Sequence, residues 1–70
     1  MNRVSVASTV LRSVGYDDST STLEVEFHNG VVYGYRSVPP EIYAALMSAA
    51  SKGHYFDTVI RQSYQCRRVL

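Results

Sequence analysis

Basic and aromatic side chains alternate near the end of the 70-residue chain, at Arg61, Tyr64, Arg67 and Arg68. Arginine neutralises phosphate and a tyrosine ring stacks on a base, so this combination predicts an RNA-binding surface. Residues three or four apart share a helix face, and Arg61, Tyr64 and Arg68 would line up if one helix continued through them. The opposing interpretation is a solvated helix end with cations near its negative pole. The net charge of only +1 favours that interpretation.

The tyrosines of Tyr33-Gly34-Tyr35 are a second candidate. If both rings were exposed, they could form a stacking platform for bases. Tyrosines whose rings pack in a core and whose hydroxyls reach a partner are common, and we prefer this structural role for Tyr33 and Tyr35. Gly34 either leaves a shallow notch on the opposite strand face or simply twists the strand, and we prefer the twist. Such a notch would be flanked by Glu24, Glu26 and Arg36.

No catalytic or metal-binding constellation is predicted. Cys66 with His28 or His54 is the one conceivable pair of nucleophile and base, and no third group is placed to orient it. Two histidines and one cysteine at wide, irregular spacing do not make a zinc-site pattern. Glu24 and Glu26 lie two apart on a strand, where solvated carboxylates are ordinary. We therefore expect a protein that is not an enzyme, with no cofactor, no metal and no small-molecule substrate.

Length and composition limit the class of protein. The chain is predicted to be one small domain, residues 1–70, burying only about 60% of the surface that its unfolded form exposes. Apolar residues make up 46% and charged residues 19% of the chain, as in ordinary globular proteins. The lone Cys66 cannot form an internal disulfide, so a reducing compartment, the cytoplasm, is expected. Because no apolar run approaches the roughly 18 residues of a membrane span, no membrane association is expected.

Three strands are predicted, over residues 10–16, 23–27 and 31–35. In the second of them, Leu23, Val25 and Phe27 alternate with glutamates. Asn29-Gly30 marks a hairpin, for which a two-residue loop would place both tyrosines on the glutamate face. A three-residue loop, residues 28–30 with Gly30 in the left-handed region, pairs Phe27 with Val31 and turns the tyrosines to the apolar face. The second register is predicted because it collects the apolar residues on one side.

Two helices follow the predicted sheet. Val38-Pro39-Pro40 predicts that the first begins near Pro40, and Gly53 is interpreted as its C-terminal stop. The second is predicted over 54–64, followed by a tail, 65–70, that frays or pairs briefly as an edge strand. The predicted fold class is α+β: a three-stranded antiparallel meander with two C-terminal helices packed on one face, in the order βββαα.

Several short motifs, in their order along the chain, resemble the KTSC domain family. They are Gly15-Tyr16-Asp17, Leu23-Glu24-Val25-Glu26-Phe27, the turn at Gly30, Tyr33-Gly34-Tyr35, Val38-Pro39 and Gly53-His54-Tyr55-Phe56, with Ile60-Arg61 and Tyr64. The resemblance covers about residues 4–64 and leaves 65–70 as an unmatched tail. This family occurs at the C-terminus of some lysyl-tRNA synthetases and as small stand-alone bacterial proteins. The synthetase context implies RNA, such as tRNA, as a partner.

We therefore expect a non-enzymatic RNA-binding or RNA-associated module. Its expected binding residues are Arg61, Tyr64, Arg67 and Arg68, whereas Tyr33 and Tyr35 are expected to be structural. The alternative is a protein-interaction or self-associating module, in which the open sheet face or a free sheet edge pairs with another chain.

Overall fold

A five-stranded antiparallel sheet organises the structure, a computed structural model that describes residues 2–70. Met1, part of the predicted domain, lies outside the described residues. The strands lie side by side in chain order: β1 Val4–Ser5, β2 Leu11–Asp17, β3 Thr22–Phe27, β4 Val32–Tyr35 and β5 Cys66–Arg68. Between β4 and β5 the chain forms α1, Pro40–Ser48, and α2, Lys52–Tyr55, and α2 runs directly into a π-helical segment, Phe56–Ile60.

The α+β class is confirmed, but the prediction of three strands in the order βββαα is wrong. The sheet gains a strand at each edge, and the helices precede β5 instead of ending the chain. Both residues of β1 and all three of β5 are exposed. Neither strand therefore shows the alternation of apolar and polar residues that marks a half-buried strand. Pairing defines them instead, β1 with β2 and β5 with β4.

The predicted hairpin register between β3 and β4 is confirmed. The Phe27 amide donates to the Val31 carbonyl at 2.9 Å, and the Gly30 amide donates to the Phe27 carbonyl at 3.0 Å. Gly30 has a φ of +89°, which glycine adopts without the steric penalty that a side chain brings. Val25 consequently pairs with Tyr33, so the tyrosines of β4 lie on the apolar face.

The core lies between this sheet face and the helical segments. Tyr35 is 4% exposed, and its ring makes a T-shaped contact with the Phe56 ring at a centroid distance of 5.5 Å. Phe27 makes a similar contact with Phe56 at 5.6 Å. Fully buried aliphatic side chains complete the cluster: Leu11, Val14, Leu23, Val25, Val38, Leu46 and Ile60. Tyr16 stacks on Tyr43 at 5.2 Å, and its hydroxyl donates to the Val38 carbonyl. These contacts attach the start of α1 to β2.

The helix boundaries differ from the prediction after Pro40. The first helix begins there as expected but ends at Ser48, and Gly53 lies inside α2 instead of ending α1. A Cβ on Gly53 would lie 2.8 Å from Cγ2 of Val10, so this glycine permits a close approach of α2 to the loop before β2. The second helix ends at Ile60 instead of Tyr64. Within residues 2–70, no helix has both the length and the apolar character needed to cross a membrane.

Candidate nucleic-acid interface

The four residues predicted to bind RNA do not form one helical face. The helical segments end at Ile60, so Tyr64 lies in the loop that follows, and Arg67 and Arg68 lie on β5. Pairing with β4 places Arg67 opposite Gly34 and Arg68 opposite Tyr33, which puts the two arginines on opposite faces of the sheet. The alignment expected for Arg61, Tyr64 and Arg68 therefore does not exist.

Arg61 lies on the apolar side of the sheet. Its Nη2 is 3.1 Å from Oδ1 of Asp57, and its guanidinium carbon lies 5.2 Å from the centre of the Phe56 ring. It borders a hollow of about 440 Å³, here called the aromatic hollow, lined by Phe27, Tyr33, Tyr35, Arg61 and Cys66. With one carboxylate and one ring already engaged, Arg61 is partly neutralised and less available for a phosphate.

The two tyrosines of β4 are not a flat exposed platform. Tyr35 is almost fully buried, and Tyr33 is half-buried with its ring in a T-shaped contact with Phe27 at a centroid distance of 5.8 Å. Burial raises the pKa of Tyr35 to about 12, because the ionised phenolate would be poorly solvated there. The geometry agrees with the structural role preferred for this pair.

A notch lies on the opposite sheet face, at Gly34. This Gly34 notch has a volume of about 240 Å³ and is lined by Thr22, Glu24, Gly34, Arg36, Arg67 and Val69. A Cβ on Gly34 would lie 3.2 Å from Cγ2 of Val69 and 3.6 Å from Cγ2 of Thr22. The glycine therefore lets the Val69 and Thr22 methyl groups lie close over the β4 backbone at the bottom of the notch, and it does more than twist the strand.

A second hollow adjoins the notch at Arg36. This Tyr64 hollow has a volume of about 300 Å³ and is lined by Arg36, Ser37, Ser63, Tyr64 and Gln65. The Arg36 amide donates to the Gln65 carbonyl at 2.9 Å, and its Nη2 donates to Oε1 of Gln65 at 3.1 Å. These bonds tie the end of β4 to the residue before β5. Arg36 borders both hollows and so brings Tyr64 and Arg67 onto one continuous surface, here called the Arg36 surface.

The two arginines of the Arg36 surface are, like Arg68 and Lys52, outside the ion pairs of the described residues. Among residues 2–70, the arginines in ion pairs are Arg3, Arg12 and Arg61, whose partners are Glu24, Glu26 and Asp57. Arg36 and Arg67 have no carboxylate in ion-pair contact within that described range, and both are exposed. An exposed, unpaired guanidinium can neutralise a phosphate without first breaking an internal ion pair.

Cys66 and His28 do not lie side by side, because Cys66 pairs with Tyr35 at the end of β4 that is distant from the turn containing His28. Cys66 is a free, exposed thiol, and Nε2 of His28 lies 2.7 Å from the Ser8 carbonyl oxygen on another part of the surface. In the part of the chain that the structure describes, no three His, Cys, Asp or Glu residues are grouped so as to hold a metal ion.

Arg36 and Glu24 line the candidate surface, although the sequence analysis named them only as flanking a notch that it did not prefer and not among the expected binding residues. The alternation of β4 does place Arg36 on the Gly34 face, and Glu24 pairs with Gly34 across β3 and β4. The alternation along the strands shows only that Arg36, Glu24 and Gly34 lie on the same sheet face. The hollows at both sides of Arg36 depend on β5 and on the loop at 63–65, which lie far along the chain.

Comparisons with known proteins match this chain over nearly its whole length. Residues 7–64 match the KTSC domain. An uncharacterised protein of Stutzerimonas stutzeri is 46% identical over 70 residues, covering 99% of both chains. The crystal structure of a KTSC domain protein from Yersinia pestis superposes with a TM-score of 0.93 at 38% identity, covering 99% of this chain and 97% of that one.

A lysine–tRNA ligase of Nostoc punctiforme is 38% identical over 56 residues. The match covers 80% of this chain and 10% of the ligase. The similarity to the ligase is therefore confined to a small part of that enzyme. The domain match and the end-to-end similarity to the Yersinia pestis structure agree in assignment and in fold, and the chain belongs to the KTSC domain family.

Proposed function

We propose that this chain is an RNA-binding module that holds a single strand against the Arg36 surface. The observation that carries the proposal is the position of Arg36, which borders both the Tyr64 hollow and the Gly34 notch. Arg36 is exposed and has no ion-pair partner among residues 2–70. It joins a second unpaired arginine, Arg67, to a tyrosine, Tyr64. Cations beside an aromatic ring are the combination by which proteins hold single-stranded nucleic acid.

The two arginines supply the electrostatic part of the binding. Arg36 and Arg67 border the same notch, so consecutive phosphates of one strand can lie along them. Two phosphate contacts on a single strand predict a slope of about −1.4 for log K against log salt concentration. A net charge of +1 adds no broad attraction, so the local cluster must account for the salt dependence.

Tyr64 supplies the stacking part. Its side chain is half-buried and borders a hollow also lined by Ser37 and Ser63, whose hydroxyls can donate to or accept from a base or a ribose. Stacking a base on an aromatic side chain contributes about 1–3 kcal/mol. Tyr64→Phe should therefore retain binding, whereas Tyr64→Ala should lose it.

The relatives give this proposal its context. Part of a lysine–tRNA ligase resembles this chain, and such a ligase acts on tRNA by its name. Because the similar part is 10% of that enzyme, we carry over RNA association and not aminoacylation. An RNA partner also agrees with a cytoplasmic location, which the free thiol of Cys66 favours.

The test is fluorescence anisotropy of a labelled single-stranded RNA at low and at moderate salt. Arg36→Ala should weaken binding and reduce the magnitude of the salt slope by about 0.7, because one phosphate contact is lost. Arg12→Ala is the matched control, since it removes the same charge at a residue already held near Glu26 and by the His28 carbonyl. Absence of binding at low salt, or equal effects of the two substitutions, would contradict the proposal.

The alternative, self-association or protein binding through a sheet edge, has weaker support. The free edge of β5 is three residues long and carries Arg67 and Arg68. Short, charged edge strands resist pairing with another strand, and two copies of β5 would bring like charges together. Analytical ultracentrifugation across a concentration series discriminates between the two functions. A dimer that is lost when β5 residues are substituted would favour self-association.

A further inference from the structure

We propose that the Gly34 notch receives one nucleobase that carries an exocyclic amino group, with the Glu24 carboxylate as its acceptor. This inference rests on the proposed RNA binding and makes it specific, because it adds base selection to a surface that would otherwise hold phosphates and stack rings. Three features of the notch support it: its size, its free carboxylate oxygen and the arginines at its rim.

The size and lining of the notch suit a single flat ring. Its volume of about 240 Å³ is smaller than the about 300–1,000 Å³ of pockets that bind drug-sized molecules. Methyl groups of Val69 and Thr22 flank the floor where Gly34 has no side chain. A planar base can lay one face on these methyl groups, whereas a side chain at position 34 would push them towards the space that the base would occupy.

Glu24 gives the notch a directional acceptor. Its Oε1 accepts a hydrogen bond from Nη1 of Arg3 at 2.7 Å, which fixes the carboxylate and balances its charge. Oε2 has no hydrogen-bond partner among the residues that the structure describes. The side chain of Glu24 is 17% exposed, so the free oxygen is partly desolvated, and a hydrogen bond to it is stronger than one in open water.

The arginines place a phosphate beside that base. Arg36 and Arg67 line the notch together with Glu24, so a nucleotide can set its amino group on the carboxylate and its phosphate on the guanidinium groups. A carboxylate accepts from the amino group of cytosine. Uracil has a carbonyl oxygen in the same position, which repels the carboxylate, so the neighbouring N3–H of uracil can donate to Glu24 only if the ring shifts in the notch.

The test compares oligocytidylate with oligouridylate of equal length by anisotropy at low salt. These two ligands have the same charge and ring size and differ in the amino group and the adjacent ring nitrogen. The protein should bind oligocytidylate about tenfold more tightly, the effect of one hydrogen bond to a charged group. Glu24→Gln should bring the two affinities together, because a neutral amide can turn to donate to uracil as well as accept from cytosine.

Glu26→Gln is the matched control, because Glu26 lies on the same strand face at 19% exposure and contacts Ser13 and Arg12 away from the notch. It should preserve the preference. Gly34→Ala is a second variant that leaves Glu24 intact, and its methyl group should weaken oligocytidylate binding by displacing Val69 towards the notch. Thermal denaturation of each variant checks that the fold is retained.

The outcomes separate this inference from the proposed function. If the protein binds the two ligands equally and Arg36→Ala weakens the binding of both, base selection is wrong and the proposed RNA binding is still supported. A preference that survives Glu24→Gln would also overturn the role of Glu24. If neither ligand binds at low salt, both proposals are wrong.

Discussion

Replacing Gly53 with alanine should destabilise the protein, although alanine normally favours a helix. Gly53 lies within α2 and is buried against the loop before β2. An added Cβ would lie 2.8 Å from Cγ2 and 3.0 Å from Cβ of Val10, and 3.3 Å from Oγ of Ser8. Rotating the Val10 side chain cannot relieve the second contact, because the position of its Cβ is determined by the backbone.

The loop is also held in place. Oγ of Ser8 accepts from the amides of Val10 and Leu11 at 3.1 and 3.2 Å, so Val10 cannot retreat without breaking these bonds. Overpacking of this kind costs about 1–3 kcal/mol, and the gain in helix propensity from glycine to alanine offsets about 1 kcal/mol of it. We expect a net loss on the order of 1 kcal/mol, which lowers the melting temperature of so small a domain by about 4–8 °C.

The assay is urea denaturation of three variants: Gly53→Ala, Val10→Ala and the double variant. Val10→Ala removes Cγ2, the atom of the 2.8 Å contact, so Gly53→Ala should cost less free energy of unfolding in that background. Gly30→Ala is a useful comparison, because nothing lies within 4 Å of its Cβ position and its cost comes from a φ of +89° alone. A Gly53→Ala protein that is more stable than the parent would refute the close approach.

Two predictions concern the tyrosines of β4. The pKa of Tyr35 is raised by burial to about 12, above the value of about 10 in an unfolded chain, so folding favours the neutral phenol. This contribution is complete below pH 10 and is lost as the pH rises towards 12; urea denaturation over that range should show a shallower decline for Tyr35→Phe. Tyr33→Ala should lower the free energy of unfolding by roughly 2 kcal/mol, because its half-buried ring packs against Phe27. Tyr33→Phe should stay within about 0.5 kcal/mol of the parent in the same denaturation assay, and an equal loss in both variants would contradict a packing role.

Local patterns in the sequence were sufficient to predict the β3–β4 hairpin and the start of α1. The alternation in β3 and the glycine at position 30 predict the hairpin register, and that register predicts that Tyr33 and Tyr35 face the core. The two prolines likewise predict where α1 begins. These features depend on residues that are neighbours along the chain, whose backbone preferences and burial pattern act over a few positions.

The composition of the candidate interface depends on tertiary structure. A fully exposed edge strand has no face to bury, so β5 leaves no alternation in the sequence and its register follows from pairing with β4. That pairing places Arg67 beside Arg36 and separates it from Arg68 and Arg61. Basic and aromatic residue types are the basis of the RNA-binding prediction, whereas contacts between distant segments determine which of these residues share a surface.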